Sequence, residues 1–324
     1  MKTNAKDMLN NLKTDLNPLV EKALQRLKPA KCRVDNFQWN DFPYYDKNWI
    51  PVSATPLYNT TSYDTLTAEQ NRRYNQYYAL QKLEQFIWIE TWFVINPVKQ
   101  LLKQKSLPTD LTTLLKSFLE DEDHHNATLK KMLQLSFPDF YRNTDFHFFH
   151  VPKKMMRYVK LMVTFPQLFS SWVLMLGAFE EHTLVLNRLY KQDENSLDPL
   201  FSKVNFYHAI DEARHCSLDE ILAKWLLEDQ KGLSKIVNAI FLKKSLEYYY
   251  GAWGHDAPIN QLVQDFPELQ AVQITLLNDA VSQRGEKYNS HLFEKTTTPI
   301  TYKNLQRYPM FQNAVNALVS KKSV

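Results

Sequence analysis

Glycine is almost missing from this chain: of 324 residues only Gly177, Gly232, Gly251, Gly254 and Gly285 are glycine. The first 176 residues therefore hold neither a glycine-rich phosphate loop nor a dinucleotide-binding turn. Cysteine is scarcer still, since Cys32 and Cys216 cannot make a disulfide framework or a four-thiolate metal site, and no Cys-x-x-Cys occurs. Charge of one sign is also lacking. With 39 basic against 35 acidic residues and a formal charge of +4, dispersed along the chain, no nucleic-acid partner is expected. Long apolar runs are absent: Met1 to Pro18 is polar, unlike a secretory signal, and later apolar stretches break before membrane-spanning length. A cytoplasmic protein with no membrane association is expected.

What is present is apolar and helical in pattern. A hydrophobic content of 44% supports a sizeable core. Residues 32–66, rich in Asn, Asp, Pro, Ser and Thr among aromatics, suggest an ordered wrapping segment rather than an interdomain hinge. From Thr67 the spacing becomes helical up to Pro97, where a helix loses a donor and meets a clash. A second helix is expected from about Leu111 to Leu133, capped by Thr109 or Asp110, and a third from about Pro166 to Arg188. A fourth runs from Pro199 to about Glu228, with Asp198 as cap and Pro199 at the first helical position. Further helices are expected at 234–250, 266–288 and 303–320, and strand content is confined to a short strand or turn around Phe146–Val151. The expected architecture is all-α: one helical domain over 1–324, with a bundle core over 67–230, a wrapping segment over 1–66 and a helical extension over 231–324.

The chemistry is concentrated in HAIDEARH, His208 to His215. Separations of four and seven residues bring His208, Glu212 and His215 onto one helical face. Each alone is an ordinary residue, whether a surface acid or a hydrogen-bonded core imidazole; jointly they offer two nitrogens and a carboxylate to one cation. LEDEDHH repeats the pattern, with Glu122 and His125 in the same Glu-x-x-His spacing as Glu212 and His215, while Asp121 with His124 supplies a competing register. Two such elements on separate helices match the di-iron carboxylate bundle, which takes one Glu from each of two further helices.

Those two helices hold candidates. Glu90 sits in the apolar stretch IWIETWFVI, where an unpaired anion would be costly, with Glu84 as its competitor. In the third helix Glu180 and Glu181 point about one hundred degrees apart, so they cannot be equivalent ligands. Glu181 is preferred, leaving Glu180 beside the ligands or on the substrate side. Oxygen and imidazole donors suit iron, or manganese or a mixed manganese/iron pair, better than a thiolate-rich zinc site. A third histidine, His208, favours enzyme chemistry over iron storage.

INPVKQLL after Glu90, DEDHH at Asp121 to His125, Glu180-Glu181-His182-Thr183 and HAIDEARH together resemble the p-aminobenzoate N-oxygenase family of di-iron proteins, over about 70–230. The resemblance implies a ferritin-like bundle holding two irons with seven ligands, Glu90, Glu122, His125, Glu181, His208, Glu212 and His215. It further implies activation of O2, oxygen transfer to the nitrogen of a small organic amine or arylamine, and an external electron donor or reductase. Neighbouring groups oxidise carbon or cleave C–C bonds with similar centres, and a ferritin-like iron oxidation or storage protein is the main rival. No catalytic residue is assigned beyond the ligands. A homodimer is a common assembly for such bundles, but the sequence marks no symmetry axis. The basic stretch VPKKMMRYVK could attract a carboxylated substrate or an acidic redox partner, against the plainer reading of a solvated basic surface. Trp88, Trp92, Phe93 and Phe179 are packing residues first and pocket walls second.

Overall fold

The computed structural model describes residues 18–40, 42–103, 107–228, 230, 232–249, 256–289, 295–309, 311 and 313. It is all-α: among the described residues there is no strand, only an isolated bridge between Asn48 and Leu197. After α1 (Thr61–Thr65), α2 (Ala68–Ile89) opens on a capping box, Thr67 accepting from the Gln70 amide while the Gln70 side chain accepts from the Thr67 amide. The helix does not stop at Pro97. It widens into a π-helical segment, Glu90–Ile95, and resumes as α3 (Asn96–Leu101) with the proline in its first turn. Proline leaves the carbonyl four residues earlier without its α-helical donor, and a wider turn absorbs that defect.

The second core helix, α4 (Thr109–Ser136), begins two positions earlier than Leu111 with Pro108 at its cap position, so Thr109 and Asp110 are its first helical residues. A helix absent from the expected set, α5 (Lys153–Thr164), follows. The third core helix, α6 (Trp172–Asp193), starts later than Pro166 because the preceding residues form turns. In α7 (Pro199–Leu227) the Asp198 carboxylate accepts from the Leu200 and Phe201 amides at 2.8 and 3.0 Å, with Pro199 at the first position. Then come α8 (Leu233–Tyr249), α9 (Asp256–Asp265), α10 (Gln273–Asn289) and α11 (Pro299–Arg307). The expected 303–320 helix is thus shifted toward Pro299, and most of its second half lies outside the described residues.

Two pairings build the core, α6 along α7 and α2 along α4, and α4 also touches α7. The long helices carry buried apolar side chains on most faces, as central helices must. The 32–66 segment is laid over this bundle by buried polar side chains. Asn75 accepts from the Trp49 and Ile50 amides and donates to the Ile50 carbonyl, while Tyr190 donates to the Trp49 carbonyl. The 146–151 segment is not a strand. The amides of His147, Phe148 and Phe149, which a ladder would have used, all donate to Glu84.

Candidate metal centre

Glu90, Glu122, His125, His208, Glu212 and His215 all converge between the four core helices, and each is at most 4% exposed. Two sets of ligand atoms each lie within 4.8 Å of one another: Glu90, His125, His208 and Glu212 in one, Glu122, Glu180, Glu212 and His215 in the other. Glu212 belongs to both. Its Oε1 lies 2.6 Å from His208 Nε2, and its Oε2 lies 3.0 Å from His215 Nδ1. Across the cluster, Glu90 Oε1 is 3.2 Å from His208 Nε2 and Glu122 Oε1 is 3.1 Å from His215 Nδ1.

Apart from the hydrogen bond between His215 Nδ1 and Glu212 Oε2, most of this proximity is not hydrogen bonding. Both oxygens of Glu90, Glu122 and Glu180, together with His125 Nδ1 and His208 Nε2, are buried without a partner of hydrogen-bond geometry. Buried polar groups are normally satisfied, and orphaned carboxylates are especially costly. Lone pairs from four helices that face a common point and not one another are a donor set that fits cations, and oxygen with imidazole suits iron or manganese.

The electrostatics record the same crowding. Burial, and next the charge of Glu122, push Glu90 up to about 7. Burial followed by Asp219 raises Glu180 well above the carboxylate range. Burial disfavours the His208 cation, yet the carboxylates of Glu212 and Glu90 together offset it and lift the group to about 9.

Glu181 is not where the sequence reading put it. Its two oxygens accept from the Ile300 and Thr301 amides at 2.9 and 2.8 Å, which holds the first turn of α11. Side chains one residue apart on a helix diverge by a hundred degrees, so only one of the pair can face the cluster. Glu180 is the one that does: it belongs to the second ligand set, and after burial the charge of Asp219 on α7 is what pushes its carboxyl up. The structure therefore brings Glu180 into the cluster and leaves Glu181, the residue preferred from the sequence, outside both sets. Glu84, the competitor of Glu90, also lies apart from the cluster, with Tyr141 Oη at 2.6 Å and the three loop amides as its donors. Asp121 and His124 do not form a rival register, because His124 is only half-buried and belongs to neither set.

Two residues escaped the sequence reading as partners of the histidines. His125 Nε2 lies 3.3 Å from Asp211 Oδ2, and His215 Nε2 lies 3.2 Å from Asp121 Oδ2. Each Glu-x-x-His helix thus supplies the aspartate that orients the other helix's histidine and turns its Nδ1 inward. Arg214 ties the two, with Nη2 at 2.7 Å from Asp211 and 3.2 Å from Asp121. Asp211 also accepts from the Lys31 and Cys32 amides, which fastens the N-terminal segment to the centre. The signal was available, because an aspartate immediately precedes the glutamate in both copies, Asp121-Glu122 and Asp211-Glu212.

Glu90 opens the π-helical segment, and such turns are frequent where a helix must aim a functional side chain. Phe86 packs edge-on against the His208 ring at 5.4 Å and Phe118 against the His215 ring at 4.5 Å, so aromatic walls limit water around the imidazoles. Among the described residues no helix is long and apolar enough to cross a membrane.

Comparison with known sequences agrees with this geometry. No curated protein matches the chain. The sequence profile of the P-aminobenzoate N-oxygenase AurF family matches residues 20–292. With most of its length matched, an all-α ferritin-like fold and a buried cluster of carboxylates and histidines, the chain belongs to the AurF family of p-aminobenzoate N-oxygenases.

Proposed function

We propose that the protein is a non-haem di-iron oxygenase that activates O2 and oxidises a small organic substrate, with N-oxygenation of an amine as the reaction. One observation carries this reading: seven buried donors from four helices, most of them unpartnered, gather into two ligand sets that share Glu212. Glu90, His125 and His208 would hold one ion, Glu122, Glu180 and His215 the other, and Glu212 both. Two iron ions held there would supply the redox chemistry, with an external donor providing electrons.

The chain's own residues do the rest. The crossed aspartates fix the tautomer and the ring plane of His125 and His215, so both Nδ1 atoms are presented without reorganisation. Glu90 and Glu122, whose charges repel, are kept as a pair by the surrounding histidines. Burial of every donor excludes bulk water from the reacting space. Anaerobic loading with ferrous iron, exposure to air and product analysis with p-aminobenzoate and other arylamines tests the reading. Two irons per chain and a nitroso or nitro product support it; a protein that turns over excess iron into ferric mineral without oxidising any amine contradicts it.

A further inference from the structure

Away from the centre, α5 and α8 flank a groove of about 200 Å3. Phe93, Met155, Val159, Phe169 and Phe241 form much of its lining, and among its lining residues only Tyr158, Lys244 and Ser245 carry polar side-chain groups. Its rim is unusually bare, with Tyr158 45%, Leu161 44% and Ile240 58% exposed. Phe165, Leu168, Leu233 and Ile236 continue the exposed apolar surface beside it. A soluble protein leaves so many large side chains in water only where something covers them.

Charge says what kind of molecule that is. No Asp or Glu occurs from Phe146 to Phe179 or from Leu233 to Ser245, whereas Lys153, Lys154, Arg157 and Lys160 on α5 and Lys235, Lys243 and Lys244 on α8 all do. An apolar trough between α5, which carries no acid, and α8, whose three lysines outnumber its single acid Glu247, complements a molecule with a hydrocarbon body and a negative end. The concavity matters too. At about 200 Å3 it is somewhat larger than the ~150 Å3 cavity that accommodates a benzene ring.

The inner end of the groove points to the candidate centre. Phe93 lines the groove, stands three residues after Glu90 on the π-helical segment, and packs edge-on at 5.8 Å against Phe179, the neighbour of Glu180. Phe93 thus belongs both to the groove and to the helical segment that carries Glu90.

We infer that this groove binds the hydrocarbon body of a monomeric anionic amphiphile, with the charged group outermost at the basic rim. The test is calorimetric titration of the full chain with sodium dodecanoate below its micellar concentration, before and after iron loading, alongside dodecyltrimethylammonium and vesicles of phosphatidylglycerol. Dodecanoate is expected to bind one per chain, at least tenfold tighter than the cationic amphiphile. Ile240→Glu, at an exposed rim position, and the double variant Arg157→Glu/Lys160→Glu should each weaken it at least tenfold while folding and iron content stay unchanged. Equal affinity for both head charges, undiminished binding by Ile240→Glu, or binding to vesicles alone would overturn the inference. Iron content separates the two claims: a chain that holds two irons but ignores dodecanoate loses only the groove, and a chain that binds dodecanoate but no iron loses the di-iron reading.

Discussion

Glu84 and Glu90 lie on one continuous helical run, six residues apart, and both are almost fully buried, yet their oxygens live in opposite conditions. Glu84 is saturated by Tyr141 and three consecutive backbone amides. Glu90 has no hydrogen-bond donor for either oxygen. Glu181 and Glu180 repeat the contrast on α6, the first accepting from two α11 amides and the second orphaned against the cluster. A buried carboxylate that is satisfied by backbone organises the fold; one left unsatisfied among other lone pairs is free to take a cation, as proposed for Glu90 and Glu180. The distinction turns two ambiguous pairs of glutamates into a set of expected outcomes.

The largest effect is expected at the shared ligand. Glu212→Ala should lower iron content from two ions to fewer than one per chain by elemental analysis, with Lys154→Ala, on exposed α5, unchanged; equal occupancy in the two would break the assignment. Glu84→Leu should instead strike the fold. It orphans three amides and a phenol at roughly 1–3 kcal/mol for each buried donor, so chemical denaturation should show a loss of several kcal/mol. Glu84→Gln, which keeps an acceptor oxygen, should lose less.

The neighbouring pair sharpens the contrast. Glu180→Ala should deplete iron with little change in the metal-free melting temperature, whereas Glu181→Ala should retain iron and lose about 1–3 kcal/mol by freeing the α11 amides. The reverse pattern would restore Glu181 as the ligand. For the crossed aspartates, Asp211→Asn should weaken metal affinity by about 10–100-fold in competitive chelation.

The smallest effect is a pH dependence. Burial pushes Glu84 from its ordinary 4.5 up to about 7, with its four donors pulling the other way. Between those values the folded chain binds more protons at this group than the unfolded chain, so its contribution to stability falls as pH rises from about 4.5 to 7. The melting-temperature gap between the wild-type protein and Glu84→Gln, both metal-free, should narrow across that window; a widening gap contradicts the sign.

Much of this was legible in the residues. Helical spacing, the Asp198-Pro199 start and the two Glu-x-x-His elements located the bundle and the histidine-bearing half of the cluster, because ligand spacing within one helix is fixed by the helix itself. Glu180 against Glu181 was not legible, since the answer depends on which neighbour packs on which face, and α11 is more than a hundred residues away in sequence. The 146–151 segment stayed open between strand and turn for the same reason: FHFFHV has strand composition, but Glu84 takes its amides and holds it as a bend. The π-turn at Glu90 was hidden because proline at 97 reads equally as a stop.

The central claim is tested most directly by an iron-edge anomalous difference map from crystals of the iron-loaded protein. Two peaks are predicted between α2, α4, α6 and α7, both contacted by Glu212 and one of them by Glu180. A map with no peak there, or with iron ligated by Glu181 while Glu180 stands apart, would contradict it.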